Sequence, residues 1–406
     1  MSRKIALVWA ALLLGGVVHA QALPADLALT EYLRLVRQQS PALLADRSLV
    51  DMARADLRTA SALPNPAVSY SRGAGDRQVA IEQALPIFGQ RGQRMEGARK
   101  GIESTRANVE AAAADALKDA AARFVVLLAA QARSERWREA RAALDSAVSI
   151  VEGQVAAGAR SRYDLTRIRV ESANVELQLA QAEAAEAGAS AGVAAAVGAS
   201  EWRPRAIGTL RPPAAATDFA SRWETARERL PAVRAALAAE SLAETLVSVE
   251  RREALPTPRI GVGRLRDSDG RHTLIGVSVE IPLFDRREGP IARAVAVADE
   301  SRQRRRAVVL AAEADLRRAV EQLQRRERLT SRFQTDGLSL LPELARMARD
   351  AYQLGRGSIL ELVDAILAGD EKQVAYVDLL EAVQQAELDV RFASGSSPVV
   401  EYRGEY

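Results

Sequence analysis

Hydrophobic positions recur along most of this chain at steps of three, four and seven, and at steps of two in only two short regions. Between about Gly92 and Glu152 there is no Pro and almost no Gly. There Leu117, Phe124, Leu128, Trp137, Leu144, Val148 and Val151 mark one face of a single helix. About sixty helical residues reach ~90 Å, far longer than helices of ordinary globular domains. Gly153–Arg160 interrupts the pattern, and a second helix is predicted from Ser161 to about Val197. Shorter helices are predicted over Leu27–Arg37 and from Pro41 to about Ala60. The period-two regions are Ala67–Arg72 with Arg77–Leu85, and Arg259–Leu265 with Thr273–Ile281. Gly73-Ala74-Gly75-Asp76 and Asp267-Ser268-Asp269-Gly270 supply turn residues between them, so each pair reads as a hairpin. A lone hairpin is not stable in water and needs partners.

The second half of the chain restates the first. Pro41 and Pro231 each open a helix; Leu63-Pro64-x-Pro66 and Leu255-Pro256-x-Pro258 each precede a hairpin; Pro86-Ile87-Phe88 and Pro282-Leu283-Phe284 each follow one. A long helix from about Pro290 to Tyr352 echoes the first, with Val309, Leu316, Val320, Leu323, Leu340, Leu344 and Met347 on its faces. Gly158-x-x-Ser161-x-x-Asp164-Leu165 is echoed by Gly355-x-x-Ser358-x-x-Glu361-Leu362. The offsets stay near ~190 residues and keep their order, which is the signature of a tandem duplication. The domain reading is a signal peptide over 1–22, a first repeat over 23–197 with its hairpin at 66–86, and a linker over 198–218. A second repeat follows over 219–392 with its hairpin at 257–283, then a flexible tail over 393–406.

Composition narrows the picture. Only 4% of the 406 residues are aromatic, and Ala supplies much of the 48% hydrophobic content, which suits close helix packing. With no Cys, disulfides, thiolate metal sites and lipid attachment through an N-terminal Cys are excluded. Basic and acidic residues are interspersed at a net charge of +3, which argues against nucleic acid as a partner. Arg3 and Lys4 precede an apolar run from Ile5 to Val18, and cleavage is predicted after Ala20 or Ala22. That run is short of the ~20 residues of a spanning helix, and no later segment reaches that length. The chain is therefore expected to be exported. Catalysis finds no support: His272 is the sole histidine beyond the leader, and no nucleophile is paired with a base. No metal-ligand spacing occurs, and no cofactor is predicted.

Two hairpins give four strands, too few to close a barrel, and an open sheet edge leaves unpaired N–H and C=O groups in lipid. Three copies would give twelve strands, with the long helices forming a tube on one side. The competing reading is a soluble periplasmic coiled-coil protein whose hairpins cap a bundle, favoured by the lack of an aromatic girdle; Tyr70, Phe88 and Phe284 are the only candidates for one. The fold class is accordingly mainly α with a small β part. Long helical hairpins would form an α-barrel, and four strands per chain would join a trimeric transmembrane β-barrel.

Taken in order, Leu29-Thr30-Glu31, Ser40-Pro41-Ala42-Leu43, Leu63-Pro64-Asn65-Pro66, Glu82-Gln83-x-Leu85-Pro86-x-Phe88-Gly89-x-Arg91-Gly92-x-Arg94 and Tyr352-x-x-Gly355-x-x-Ser358-x-x-Glu361-Leu362 resemble the TolC-type outer-membrane efflux proteins. The resemblance covers essentially all of the chain after the leader. The Asn65-Pro66 and Phe88-Gly89-Gln90-Arg91-Gly92 stretches look most like its cation-efflux, CzcC-like branch. What this implies is a homotrimer in the cell outer membrane with its helical part in the periplasm. Such a protein would act as the passive exit duct of a tripartite efflux system for heavy-metal cations. Its partners would be outer-membrane lipid, a periplasmic adaptor (membrane fusion) protein and an inner-membrane pump of the resistance-nodulation-division type. Many relatives carry a lipidated N-terminal Cys; this chain has none, so anchoring would rest on the barrel. The alternatives are the adaptor itself, whose β-domains surround one helical hairpin in the reverse order, and the soluble coiled-coil protein.

Two turns are the candidate sites. Ser161 with Asp164 and Ser358 with Glu361 have capping-box spacing. The resemblance places Gly158, Ser161, Asp164, Tyr352, Gly355 and Ser358 at the tip that meets the adaptor. It aligns Glu361 and Asp364 with acidic rings that narrow the pore. Three residues apart on a helix, these two share a face, and three copies would make two carboxylate rings favouring cations. The family's tip-tethering arginine sits two residues after the glycine, whereas Gly357 stands there and Arg356 lies one earlier. Gly89-Gln90-Arg91-Gly92-Gln93-Arg94 lacks the form of a phosphate loop and reads as a strand-to-helix turn with Arg at the lipid interface, a placement that Arg286 and Arg287 repeat. Arg302–Arg306 reads as a solvated helix face.

Overall fold

The computed structural model describes residues 23–73, 75–210 and 219–396. The predicted leader, Ala74 of the first hairpin turn, residues 211–218 of the linker and the tail beyond residue 396 lie outside the described residues. Strand β1 (Asp26–Leu27) leads into helices α1 (Leu29–Gln39) and α2 (Pro41–Ser61), then a hairpin of β2 (Ala67–Arg72) and β3 (Arg77–Ala84). Helix α3 (Gln90–Ala156) runs 67 residues, or about 100 Å, and α4 (Arg162–Val197) returns along it. Strand β4 (Arg205–Ala206), α5 (Phe219–Ala226) and α6 (Pro231–Glu253) follow, then the hairpin β5 (Arg259–Asp267) and β6 (Gly270–Ser278). Helix α7 (Glu288–Arg332), α8 (Leu341–Gln353) and α9 (Ile359–Ala393) complete the chain.

The second long helix is not continuous. A π-helical turn at Phe333–Gly337 and a 3₁₀ turn at Leu338–Leu340 separate α7 from α8. Pro342 has no N–H to donate to the preceding turn, and Gly337 weakens the helix beside it. Thr335 and Ser339 donate their hydroxyls to the carbonyls of Ser331 and Thr335, at 3.0 and 2.5 Å, which satisfies groups the loosened ladder leaves open. Leu340, in the 3₁₀ turn, and Leu344 and Met347 beyond it are exposed rather than packed within the chain.

The linker also holds structure that the hydrophobic pattern does not show. Arg205 and Ile207 donate backbone N–H groups to Ala25 and Leu27, both at 2.8 Å, making β1 and β4 a parallel pair. Leu27 and Ala206 thereby enter a core with Tyr32, Leu33, Phe124, Val193 and Leu388. Tyr32 stacks on Phe124 with ring centroids 5.9 Å apart. A second core, nearer the α3–α4 turn, joins Trp137, Leu144, Val151 and Ile168 to Tyr352, Ile359 and Leu362. Helix α9 is tied to α3 by Arg133, which pairs with both Asp378 and Glu381. Within the basic run, Arg302 and Arg305 both engage Glu240 of α6. That carboxylate is buried, so this part of the run is a clamp between helices rather than a solvated face; Arg304 pairs only along its own helix with Glu300.

The four longer strands form one antiparallel sheet in the order β2-β3-β5-β6, so β2 and β6 are its edges. Register places Val68, Ile81, Val262 and Ile275 in one row across it, and Gln83, Ile260 and Val277 in another. Apolar side chains dominate this face, and they are open: Val68 is 70% exposed, Val277 72% and Ile275 81%. The opposite face carries Ser69, Ala80, Gly263 and Leu274 in one row and Ala67, Glu82, Gly261 and Gly276 in the next. A Cβ at Gly263 would lie 2.9 Å from the Val79 carbonyl oxygen, so only glycine allows that approach. Strand β6 stops at Ser278, short of the predicted Ile281. Its partner β5 begins at Arg259, after Pro256 and Pro258, and a proline cannot extend the ladder as a donor.

Candidate functional site at the helical turns

The two candidate turns have matching geometry. Helix α3 ends at Ala156; Gly158 takes a left-handed φ of 72°, and Ala159 donates its N–H to the Gln154 carbonyl. Helix α8 ends at Gln353; Gly355 has φ 69°, and the N–H groups of Arg356 and Gly357 both reach the Ala351 carbonyl at 2.9 Å. These are helix ends closed by a glycine that tolerates positive φ. Each turn then opens the next helix with a reciprocal cap. Asp164 donates its N–H to Ser161 Oγ at 3.2 Å, and Ser161 donates its own to the Asp164 carboxylate at 3.4 Å. Ser358 and Glu361 repeat this at 3.2 and 3.3 Å.

Gly357 has a separate reason to be glycine. An added Cβ would lie 3.1 Å from that of Ala351 and 3.2 Å from a Glu361 carboxylate oxygen, crowding the cap. Glu361 and Asp364 are both exposed on the first turns of α9. The Glu361 carboxylate is shared with its cap, while Asp364 makes no hydrogen bond or ion pair among the described residues. The shared face predicted for these two is compatible with this arrangement.

Tyr352 sits beneath the turn in the core around Trp137 and Ile359, only 4% exposed. Arg160 lies over its ring, 4.1 Å from the centroid, and also donates to the Tyr352 backbone carbonyl. The arginine that holds this tyrosine therefore comes from the other turn, two residues after Gly158, and Arg356 takes no part. Sequence reasoning searched around Gly355 and missed it. The Gly-x-Arg spacing at Gly158 was the available signal. Burial raises the Tyr352 phenol above its ordinary range, with Arg160 acting in the opposite sense. Its hydroxyl has no hydrogen-bond partner among the described residues.

Above the turns, α3, α8 and α9 enclose an open groove of about 930 Å³, lined by Leu128, Val151, Tyr352, Ile366 and Asp370 among others. Asp370 was not singled out by sequence reasoning. Burial, and secondarily Glu139, pushes its carboxyl up to about 6, against the pull of Arg136. No group of His, Asp or Glu able to hold a metal ion occurs among the described residues. No helix among them is long and apolar enough to cross a membrane. Chemically, the turns can cap, tie and present carboxylates; nothing at them forms a nucleophile–base pair.

Comparison with known proteins agrees with this architecture. A sequence model of the family described as "Outer membrane efflux protein" matches residues 223–396. The chain is 26% identical over 350 residues to the cobalt-zinc-cadmium resistance protein CzcC of Cupriavidus metallidurans, covering 83% of this chain and 82% of that one. It is 28% identical over 332 residues to protein CyaE of Bordetella pertussis, covering 72% and 70% of the two chains. Its fold superposes on the crystal structure of CusC with a TM-score of 0.75 at 18% identity, covering 91% of this chain and 92% of that one.

Proposed function

We infer, from the match of residues 223–396 to the outer membrane efflux protein family and from the similarity to CzcC, that the chain is an outer membrane efflux protein, the outer-membrane exit duct of an efflux system that conducts substrate passively to the exterior. The observation that carries this reading is the four-stranded sheet. One face exposes Val68, Tyr70, Ile81, Val262, Ile275 and Val277, interrupted by Gln83 and Arg264 and ending in the row Arg72, Arg77, Arg266 and Arg271; the other is mostly small and polar, and both edge strands lack partners within the chain. A soluble bundle has no use for such a sheet. In a bilayer it is one segment of wall, apolar toward lipid and polar toward water. Because open edges are not tolerated in hydrocarbon, three copies close β6 of one onto β2 of the next to make twelve strands. The long helices then form a tube on the periplasmic side, built from two copies per chain of one duplicated unit. The domain boundaries follow that unit: a cleaved leader, repeats over 23–197 and 219–392, a linker between them and a short tail.

On this reading the turns at Gly158–Asp164 and Gly355–Glu361 form the tip that meets a periplasmic adaptor, which links the duct to an inner-membrane pump. Ser161, Ser358 and Tyr352 shape that tip, with Arg160 tying its two turns together. Glu361 and Asp364, repeated threefold, make a cation-favouring constriction. CzcC is named for resistance to cobalt, zinc and cadmium, and we assign divalent heavy-metal cations as the cargo class. Metal is then cargo in transit, selected by the pump.

The absence of native Cys makes the closure directly testable. Ser69→Cys in β2, paired in turn with Thr273→Cys, Leu274→Cys and Gly276→Cys in β6, should give an oxidised, SDS-resistant trimer for at least one pair in the outer-membrane fraction. A soluble periplasmic monomer with no crosslink from any pair rejects the duct.

A further inference from the structure

We propose that the junction between sheet and helices is a binding collar for anionic phospholipid headgroups of the leaflet that faces the helices; this rests on the membrane-duct reading. At this level the chain exposes Ile87, Ile281, Leu283 and Phe284, the last completely. These residues leave the strands just before α3 and α7 begin. Such a belt is uncovered within the chain, and a hydrocarbon boundary is what it suits.

Immediately beyond the belt, arginines cluster on three helix ends. Arg91 and Arg94 lie in the first turns of α3, Arg251 and Arg252 in the last turn of α6, and Arg286 and Arg287 at the start of α7. Internal contacts fix these ends as one unit. Arg91 donates Nε–H to the Ser61 carbonyl at the end of α2, 2.7 Å away. Gln90, buried, spans from the Phe88 N–H to the carbonyls of Leu255 and Pro256.

The carboxylates of the collar are largely spent internally. Glu250 pairs with Arg287 at 2.6 Å, Glu253 with Arg94 at 3.7 Å, and Asp285 accepts the Arg287 N–H at 2.8 Å. Arg251 and Arg286 are exposed and make no hydrogen bond or ion pair among the described residues, and both Nη nitrogens of Arg91 are uncommitted. Guanidinium groups beside an apolar belt match the order of charge in a phospholipid, phosphate outside acyl chain. Planar forks suit phosphate oxygens better than point charges do. Glu280, beside Ile281 of the belt, and Glu288, the first residue of α7, are carboxylates at this level that make no hydrogen bond or ion pair among the described residues, and they oppose the arginines there.

The test uses the full chain as purified from membranes in detergent, examined by native mass spectrometry after addition of phosphatidylglycerol or phosphatidylcholine. The wild type should retain phosphatidylglycerol preferentially. Arg91→Gln/Arg251→Gln/Arg286→Gln should lose that preference by about fivefold for each arginine removed. Arg286→Gln alone breaks no internal bond, so a loss there reports lipid binding rather than misfolding. Equal retention of the two lipids by the wild type, or unchanged preference in both variants, overturns the collar. Displacement of the lipid preference by millimolar inorganic phosphate reassigns the arginines to free anions and overturns the lipid source. Recovery of the wild type from the outer membrane is scored first, so failure of the duct reading is seen before any lipid is added.

Discussion

Asp370 faces Arg136 and Glu139 of α3 from α9, and its carboxyl is raised to about 6 mainly because burial disfavours the charged form. Arg136 is divided between Glu139 at 2.6 Å and Gln373 at 3.2 Å, so it compensates Asp370 only in part. A carboxyl raised on folding costs stability above its folded pKa, and that cost disappears as pH falls toward its unfolded value near ~4. Asp370→Asn should therefore raise the thermal midpoint at pH 7.5, with the gain over wild type shrinking by pH 5. Circular dichroism melts at the two pH values check this. A gain equal at both would assign the effect to packing. Residue-scale features of this kind were the least legible in the sequence. The capping boxes were visible because their partners lie three residues apart. Asp370, the Arg160–Tyr352 tie and the Glu240 clamp join residues distant in the chain, and no local pattern reports them.

Elements were read more fully, because periodicity expresses which face is buried. The hairpin strands came out within a few residues of their observed bounds, and their alternation separated the two faces of the sheet correctly. What alternation could not show was where pairing stops, since that depends on the prolines of the neighbouring strand. Nor did helical spacing reveal the break at Phe333–Leu340, where apolar residues continue at helical steps on either side. The asymmetry of the sheet faces makes a direct prediction. Val262→Arg puts a charge on the apolar face, at about 2–4 kcal/mol per copy if near the bilayer centre, and should abolish the heat-resistant trimer in outer-membrane fractions. Ser69→Arg, on the opposite face, should leave it in place. Equal yields from the two variants would mean that neither face meets lipid.

At the scale of the whole molecule, the order of motifs pointed to the architecture more firmly than any one motif did. The functional reading followed from that architecture. The proposed constriction is tested at this scale, since it exists only in an assembled pore. Glu361→Gln/Asp364→Asn should reduce the cation preference of single channels in planar bilayers, read as a shift of the reversal potential toward zero in a salt gradient. An unchanged reversal potential sinks the carboxylate rings. Arg160→Ala in the same recordings distinguishes a tie that closes the tip from packing alone, because only the former alters open probability.

The sheet also constrains how the molecule is made. A single chain leaves the apolar face of β2, β3, β5 and β6 uncovered and both edges unpaired. In aqueous transit such a surface is a template for indiscriminate strand pairing. The helices can finish alone, since their cores lie within one chain; the sheet cannot. On the proposed trimeric closure its maturation is second in time and depends on the encounter of chains and on the bilayer, so that the yield of trimer should rise steeply with chain concentration.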